Sequence, residues 1–223
     1  MDSMYDTMMS LPLMKGVSKT QLSDFVAKTP LHFTSFGSGE TVEEYDAPCS
    51  TVKCLVSGSV RMILRVLGGK ADVGSTLKAP AVLGLQNLFG LHTHSMFWAI
   101  SLGQCGIMEF DKARFLELLR GNNICLLNVL NDLSWRCQRA QSFMHDAPRL
   151  DAPHRLALLV LSSTEIQASE IHFSANGTPV ADVLCDTAAD REALADMEAA
   201  GIIRFRSESV IEIPSRDRLR DFV

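Results

Sequence analysis

Residues 179–214, PVADVLCDTAADREALADMEAAGIIRFRSESVIEIP, constrain the fold more tightly than any other stretch of this chain. Val180, Val183 and Leu184 form one apolar face. After a break at Cys185-Asp186, a second face follows at Ala189, Ala193, Leu194 and Met197. Spacings of three and four residues put each set on one side of a helix. Gly201 then stands where a helix ends in a left-handed residue. Ile203 and Phe205, followed by Val210, Ile211 and Ile213, predict two short strands joined at Ser207-Glu208-Ser209. Helix, tight turn, helix and hairpin is the order of a winged helix-turn-helix, a module that lays its second helix in the major groove of DNA. Charge pulls the other way. Residues 186–200 carry Asp186, Asp190, Glu192, Asp196 and Glu198 against a single cation, Arg191.

The formal charge of the whole chain is −5, so it is not a general electrostatic binder of nucleic acid, and DNA contact would rest on a local basic patch. The N-terminal segment has Asp2 and Asp6 early and no basic region, which argues against a secretory signal. No apolar run approaches the roughly 18–20 residues of a membrane span. The expected location is therefore the cytoplasm, with no membrane partner. The six cysteines, Cys49, Cys54, Cys105, Cys125, Cys137 and Cys185, include no CxxC pair and read as free, mostly buried thiols. An iron–sulfur cluster needs several closely placed thiolates, and none precedes Cys49.

Upstream, residues 15–28 predict a short amphipathic helix capped by Ser18, with Leu22, Phe25 and Val26 inward. From Leu31 to Phe110, short apolar runs alternate with turn signals at Gly37-Ser38-Gly39, Asp46-Ala47-Pro48, Ser57-Gly58, Gly68-Gly69, Ala79-Pro80 and Gly103. That rhythm predicts a small all-β sandwich or jelly roll. Asp111 is a candidate N-cap for a helix with Phe115, Leu118 and Leu119 on its apolar stripe. Gly121 interrupts it, and a longer helix follows over residues 122–144. On that helix Leu126, Leu130, Leu133 and Cys137 recur at four, three and four residues, the spacing of a coiled-coil-like dimer seam. Packing on the chain's own β-domain is the other use of such a stripe. Asp146-Ala147-Pro148 and Asp151-Ala152-Pro153 read as a hinge, after which residues 155–164 open a new helix.

A β-sandwich, a long helix, a hinge and a winged helix-turn-helix, in this order, resemble the CRP/FNR family of bacterial transcription regulators. The local carriers are FGSGETV at 36–42, LVSGSVRM at 55–62, AVLGLQNLF at 81–89, CGIMEFDKARFLELL at 105–119 and LADMEAAGIIRF at 194–205. The general look is that of regulators from the Bacteroidetes. The resemblance implies an α+β chain: an N-terminal β jelly roll like a cyclic-nucleotide-binding domain (residues 1–121), a dimerisation helix (122–146) and a C-terminal winged helix-turn-helix (147–223). It also implies a homodimer that senses a small-molecule effector and binds double-stranded DNA. In the family's nucleotide-binding members a Glu holds the ribose and an Arg-Ser pair holds the cyclic phosphate, because an anion calls for a bidentate guanidinium and hydroxyl donors. Here Leu85 stands at the Glu position, and Ser95 or Met96 stands where the guanidinium belongs. The expected effector is therefore not cAMP or cGMP. Aligning the second helix on Gly201 puts Thr187, Ala188, Arg191 and Glu192 in the reading set, with Arg204 and Arg206 at the start of the wing as phosphate contacts.

The alternative is a degenerate regulator-fold protein whose acidic helix binds a protein partner rather than DNA. An enzyme is not expected, since the histidines show no HExxH or other catalytic spacing. His92 and His94, one residue apart on a strand, share a face suited to a metal, but two ligands do not make a site and the sequence names no third. A haem would have His32, His92, His94 and Cys49 as candidate axial ligands, with no pattern to choose among them. No cofactor or metal is assigned on this basis.

Overall fold

Alternating apolar residues between Leu31 and Phe110 do form strands, and the glycine turns set their ends. The computed structural model describes residues 4–146 and 150–222. The chain divides into two compact units, one running to Arg61 and resuming over Lys78–Trp135, the other comprising Met62–Leu77 and the chain from Arg136 onward. The class is mixed α+β, as the sequence predicts. The expected hinge at Asp146-Ala147-Pro148 falls largely on residues outside those described.

The first unit contains strands β1 (His32–Phe36), β2 (Thr41–Glu43) and β3 (Thr51–Ser57), the start of β4 (Ser59–Val66), and, beyond β5 (Ala71–Lys78), strands β6 (Ala81–Leu83), β7 (Phe97–Ser101) and β8 (Cys105–Asp111). One sheet has the order β1-β8-β3-β6 and is antiparallel throughout. In a second layer β2 pairs with β7. The β3–β8 register sets Val52 against Phe110 and Cys54 against Met108, and these side chains share one face of the sheet. Four helices contribute to the layer over it: α1 (Met4–Ser10), α2 (Lys19–Lys28), α3 (Lys112–Gly121) and the first half of α4 (Asn123–Asp146). They contribute Met8, Leu22, Phe25, Phe115, Leu119, Cys125 and Val129 to a single apolar cluster. Phe110 lies at its centre, edge-on to Phe25 and Phe115 at 5.4 and 6.1 Å. Ser18 caps α2 as expected, in a reciprocal capping box with Gln21. The Ser57-Gly58 turn separates β3 from β4. Gly58 has φ +76°, and a Cβ there would lie 2.4 Å from the Gln104 carbonyl oxygen, so only glycine fits.

In the second unit α5 (Ala152–Ser163), β9 (Ser169–Ser174), α6 (Val180–Leu184), α7 (Ala188–Ala199), β10 (Arg204–Ser207) and β11 (Val210–Ile213) follow in order. Helix α7 ends as its sequence requires. Gly201 adopts φ +67°, its N–H donates to Glu198, and the Ile202 N–H donates back to Met197, the pair of bonds that satisfies the last carbonyls. The sheet of this unit has the order β10-β11-β9-β5-β4. Strand β5 pairs with β9 through Asp72–Ser174, Val73–Phe173 and Gly74–His172, and Thr76 Oγ1 donates to Glu170 at 2.8 Å. Ala71 and Val73 thus join Leu156, Val160, Phe173, Leu194 and Ile211 in one core. The unit is completed by a hairpin taken from the middle of the chain. Arg216, 6% exposed, closes the far end of α5 by donating to the Thr164 hydroxyl and the Leu161 carbonyl, both at 3.0 Å. Burial, with Arg139 and Arg220 nearby, lowers its guanidinium to about 10, still charged at neutral pH. Among the described residues no helix is long and apolar enough to cross a membrane.

Candidate functional site

Helices α6 and α7 are joined by a three-residue turn, and one carboxylate holds that turn in place. Thr187 is the N-cap of α7: its hydroxyl accepts from the Asp190 N–H at 3.1 Å, and Asp190 Oδ2 accepts from the Thr187 N–H at 3.0 Å. The same Oδ2 accepts from the Asp186 N–H at 2.9 Å. The other oxygen, Oδ1, accepts from the Ala152 N–H at 2.9 Å, at the first residue of α5. Arg155 of α5 reinforces the joint, donating to the Leu184 carbonyl at 2.6 Å and pairing with Asp186. Asp190 is buried by this arrangement. The Ala152 N–H above all, with the Asp186 N–H and the Thr187 hydroxyl and N–H, pulls its carboxyl from 3.8 down to about 2 against the opposing effect of burial.

With Asp190, Leu194 and Met197 inward, the 3.6-residue period turns Ala188, Glu192, Ala195 and Ala199 outward. Arg191 lies on one flank, 64% exposed, with Asp182 at 3.7 Å. Glu198 shares that flank, and its carboxylate accepts from the Phe205 N–H at 3.1 Å, tying α7 to β10. Asp196 lies on the other flank, exposed. On β10 both expected arginines are exposed. Arg206 forms an ion pair with Glu212 across the hairpin; Arg204 lies opposite Glu212 in the strand register and has no ion-pair partner among the described residues. Arg218, which sequence reading did not single out, donates from both terminal nitrogens to the Gly201 and Ala200 carbonyls at 2.9 Å and so covers the C-terminal end of α7. Helix C-termini attract such cations, but a donor this far downstream leaves no local signature.

In the first unit the residues expected around an effector differ in their exposure. Leu85 is buried in a single turn of 3-10 helix, Ser95 is buried with its hydroxyl donating to the Phe97 carbonyl at 3.0 Å, and Met96 is 54% exposed. The cavity lined by Glu43, Cys49, Lys53, Leu83, Leu88 and Phe97 has a volume of about 20 Å³, room for a water molecule. Glu43 is buried there and pairs with Lys53. Gly84 explains part of the closeness: at φ +59°, a Cβ on it would meet the Phe97 ring at 2.6 Å. Burial pushes the Cys54 and Cys125 thiols up to about 12, as unreactive buried thiols require, whereas Cys137 is exposed.

Helix α4 carries two apolar stripes. Cys125 and Val129 are buried, and Leu126 and Leu133 pack half-buried against the same core of the first unit. Ile124, Leu127 and Leu130 face outward, 44, 56 and 48% exposed, with Cys137 exposed further along. Of the four residues read as a seam, Leu130 and Cys137 are exposed, and Leu126 and Leu133 are half-buried beside them. Ile124 and Leu127 carry the same spacing signal in the sequence, but period alone does not separate two stripes on one helix.

No protein-family model matches the chain, and no curated protein matches it. Solved structures do. The catabolite activator protein of Thermus thermophilus is similar with a TM-score of 0.52 at 16% identity, over 95% of this chain and 97% of that one. The c-di-GMP-responsive global regulator CLP of Xanthomonas campestris is similar with a TM-score of 0.51 at 17% identity, over 89% of this chain and 100% of that one. At this level of identity the likeness is one of fold.

The Asp190 joint makes a pH-dependent prediction. A carboxylate depressed from 3.8 to about 2 gives its full stabilisation above about pH 4 and loses it as pH falls through 2. Asp190→Asn is expected to melt below the wild type at neutral pH, and the gap is expected to narrow as pH is lowered from 4 to 2. Thermal melts followed by circular dichroism measure this. A gap that stays constant over that range would remove the carboxylate charge from the account.

Proposed function

We propose that this chain is a cytoplasmic, homodimeric, sequence-specific DNA-binding transcription regulator of the CRP/FNR type. The observation that carries the reading is the second unit's order of helix, three-residue turn, helix and hairpin, with the outer face of α7 exposed beside β10. This order supports reading the unit as a winged helix-turn-helix. Supporting it, the fold is shared with a catabolite activator and a global regulator. In this reading α7 enters the major groove. Ala188 and Ala195 allow close approach, Glu192 accepts from a cytosine amino group, and Arg191 reaches a guanine or a phosphate. Arg204 and Arg206 contact phosphates from the wing, and Thr187, whose hydroxyl is engaged in the capping box, offers its methyl group.

The acidic count of α7 overstates its repulsion of DNA. Asp190 is buried, Glu198 is engaged by the Phe205 N–H, and Asp186 is paired with Arg155. Among the described residues, Glu192 and Asp196 are then the exposed acids of the helix without such a partner.

The dimer in this proposal forms through the exposed side of α4, where Ile124, Leu127 and Leu130 are outward and Leu126, Leu130, Leu133 and Cys137 carry the four-three-four spacing of a seam. The first unit acts as the sensor, responding to a small-molecule effector that is not a cyclic nucleotide. Leu85 offers no acceptor for a ribose, and Ser95 and Met96 offer no guanidinium for a phosphate. Effector binding would bias the dimer between arrangements that present the two reading helices differently.

Selection of bound sequences from random duplex DNA by the purified chain tests the reading. The expected result is a near-palindromic motif whose half-sites lie about one helical turn apart. Arg191→Ala is expected to weaken binding to that motif by about 1–3 kcal/mol without changing the oligomeric state. No enrichment, paired with capture of a protein partner that depends on α7, would favour the degenerate reading instead. For the dimer, Leu127→Glu is expected to sediment as a monomer while keeping its melting temperature at the concentration of the dissociated wild type. A variant that stays dimeric would place the interface elsewhere.

A further inference from the structure

We propose that Asp46, His92 and His94 bind a single late first-row divalent metal ion, of the zinc class, on the surface of the first unit. The sequence supplies two of these ligands and the fold supplies the third. His92 and His94 alternate along an extended segment, so both rings fall on one side, and they stack with centroids 4.8 Å apart. Asp46, far earlier in the chain, is brought beside them by backbone pairing. The Asp46 N–H donates to the Ser95 carbonyl at 2.8 Å, the Ser95 N–H donates to the Ala47 carbonyl at 2.8 Å, and the Cys49 N–H donates to the Thr93 carbonyl at 2.9 Å. The two segments are thereby held in register at Pro48 and His94.

The donor atoms of the three side chains lie within 4.8 Å of one another, and Asp46 Oδ1 is 3.8 Å from His92 Nε2. Bonds of about 2.0–2.2 Å to a tetrahedral ion place donors roughly 3.4 Å apart, so the cluster must tighten by about an ångström. Asp46 and His92 can do this by rotation, since their side chains are 68 and 71% exposed and the ring that His92 stacks on is that of His94, the third ligand. His94 is the fixed member. It is half-buried, and its backbone is held by the bridge to Pro48.

The donor set selects the class of ion. Two imidazoles and one carboxylate suit zinc, cobalt, nickel or copper, whereas calcium and magnesium require oxygen ligands in greater number. Three protein ligands leave a fourth position open to water. The ion would fasten the turn before β3 to the segment leading into β7, the same segment that carries Ser95 and Met96. This inference does not depend on the DNA-binding reading.

The test uses the full chain stripped of metal by a chelator, titrated with Zn²⁺ by calorimetry and with Co²⁺ by absorption spectroscopy. One Zn²⁺ per chain is expected, and Co²⁺ is expected to give ligand-field bands of nitrogen and oxygen donors without sulfur charge transfer. Asp46→Asn and His92→Ala, both at exposed positions, are expected to leave the melting temperature of the metal-free chain unchanged. Each is expected to weaken Zn²⁺ binding by more than about tenfold, the loss that removal of even an outer hydrogen-bond partner of a ligand produces. Cys49→Ser is expected to alter neither affinity nor spectrum. Absence of binding at millimolar Zn²⁺, affinity unchanged in both variants, or a sulfur band that disappears with Cys49→Ser would each overturn the site.

Discussion

The carboxylate of Asp190 is the contact on which the arrangement of α5, α6 and α7 depends. Its two oxygens accept from backbone amides at the start of α5, in the α6–α7 turn and at the cap of α7, so one side chain fixes three segments at once. A charged acceptor answered by several donors is among the stronger polar arrangements available to a protein, and the depressed acidity of Asp190 is its signature. Anchoring the N-terminal end of α7 on its inner side leaves Ala188, Glu192, Ala195 and Ala199 outward. The geometry that makes the helix available to a partner therefore begins with a residue no partner can touch.

This changes the meaning of the helix's charge. Read as a string, residues 186–200 are acidic and ill suited to a polyanion. Within the fold, one acid is structural, one is tied to β10 and one is paired with Arg155, while the cations come from Arg191 and from β10. A face with so few cations does not bind DNA by charge alone. It needs shape, close approach and a second copy of itself, which is why the outward stripe of α4 matters to the functional reading as much as α7 does.

Local chemistry was legible in the sequence, and long-range pairing was not. The Ser18 cap, the Gly201 helix stop, the Ser57-Gly58 turn and the inward Leu194 and Met197 follow from spacing and from backbone preference, which act over a few residues. The partnership of β5 with β9 joins segments nearly a hundred residues apart, and the alternating Ile171 and Phe173 indicate a strand without naming its neighbour. The burial of Asp190 was hidden because its donors include Ala152, on another helix. Helix α4 shows the limit of periodicity, since its sequence holds two apolar stripes and only packing decides which faces the core. Likewise His92 and His94 announce a shared face, but Asp46 reaches them only through the bridge at Pro48.

The most direct measurement is the salt dependence of binding to the sequence recovered by selection. Specific binding through a sparse cationic face predicts that affinity falls steadily with salt, with a logarithmic slope of about −0.9 per phosphate contact and therefore a modest total. It also predicts that Arg204→Ala makes the slope shallower by about one unit. Binding that is insensitive to salt, or a slope that Arg204→Ala leaves unchanged, would contradict the assignment of α7 and β10 as the face that meets DNA.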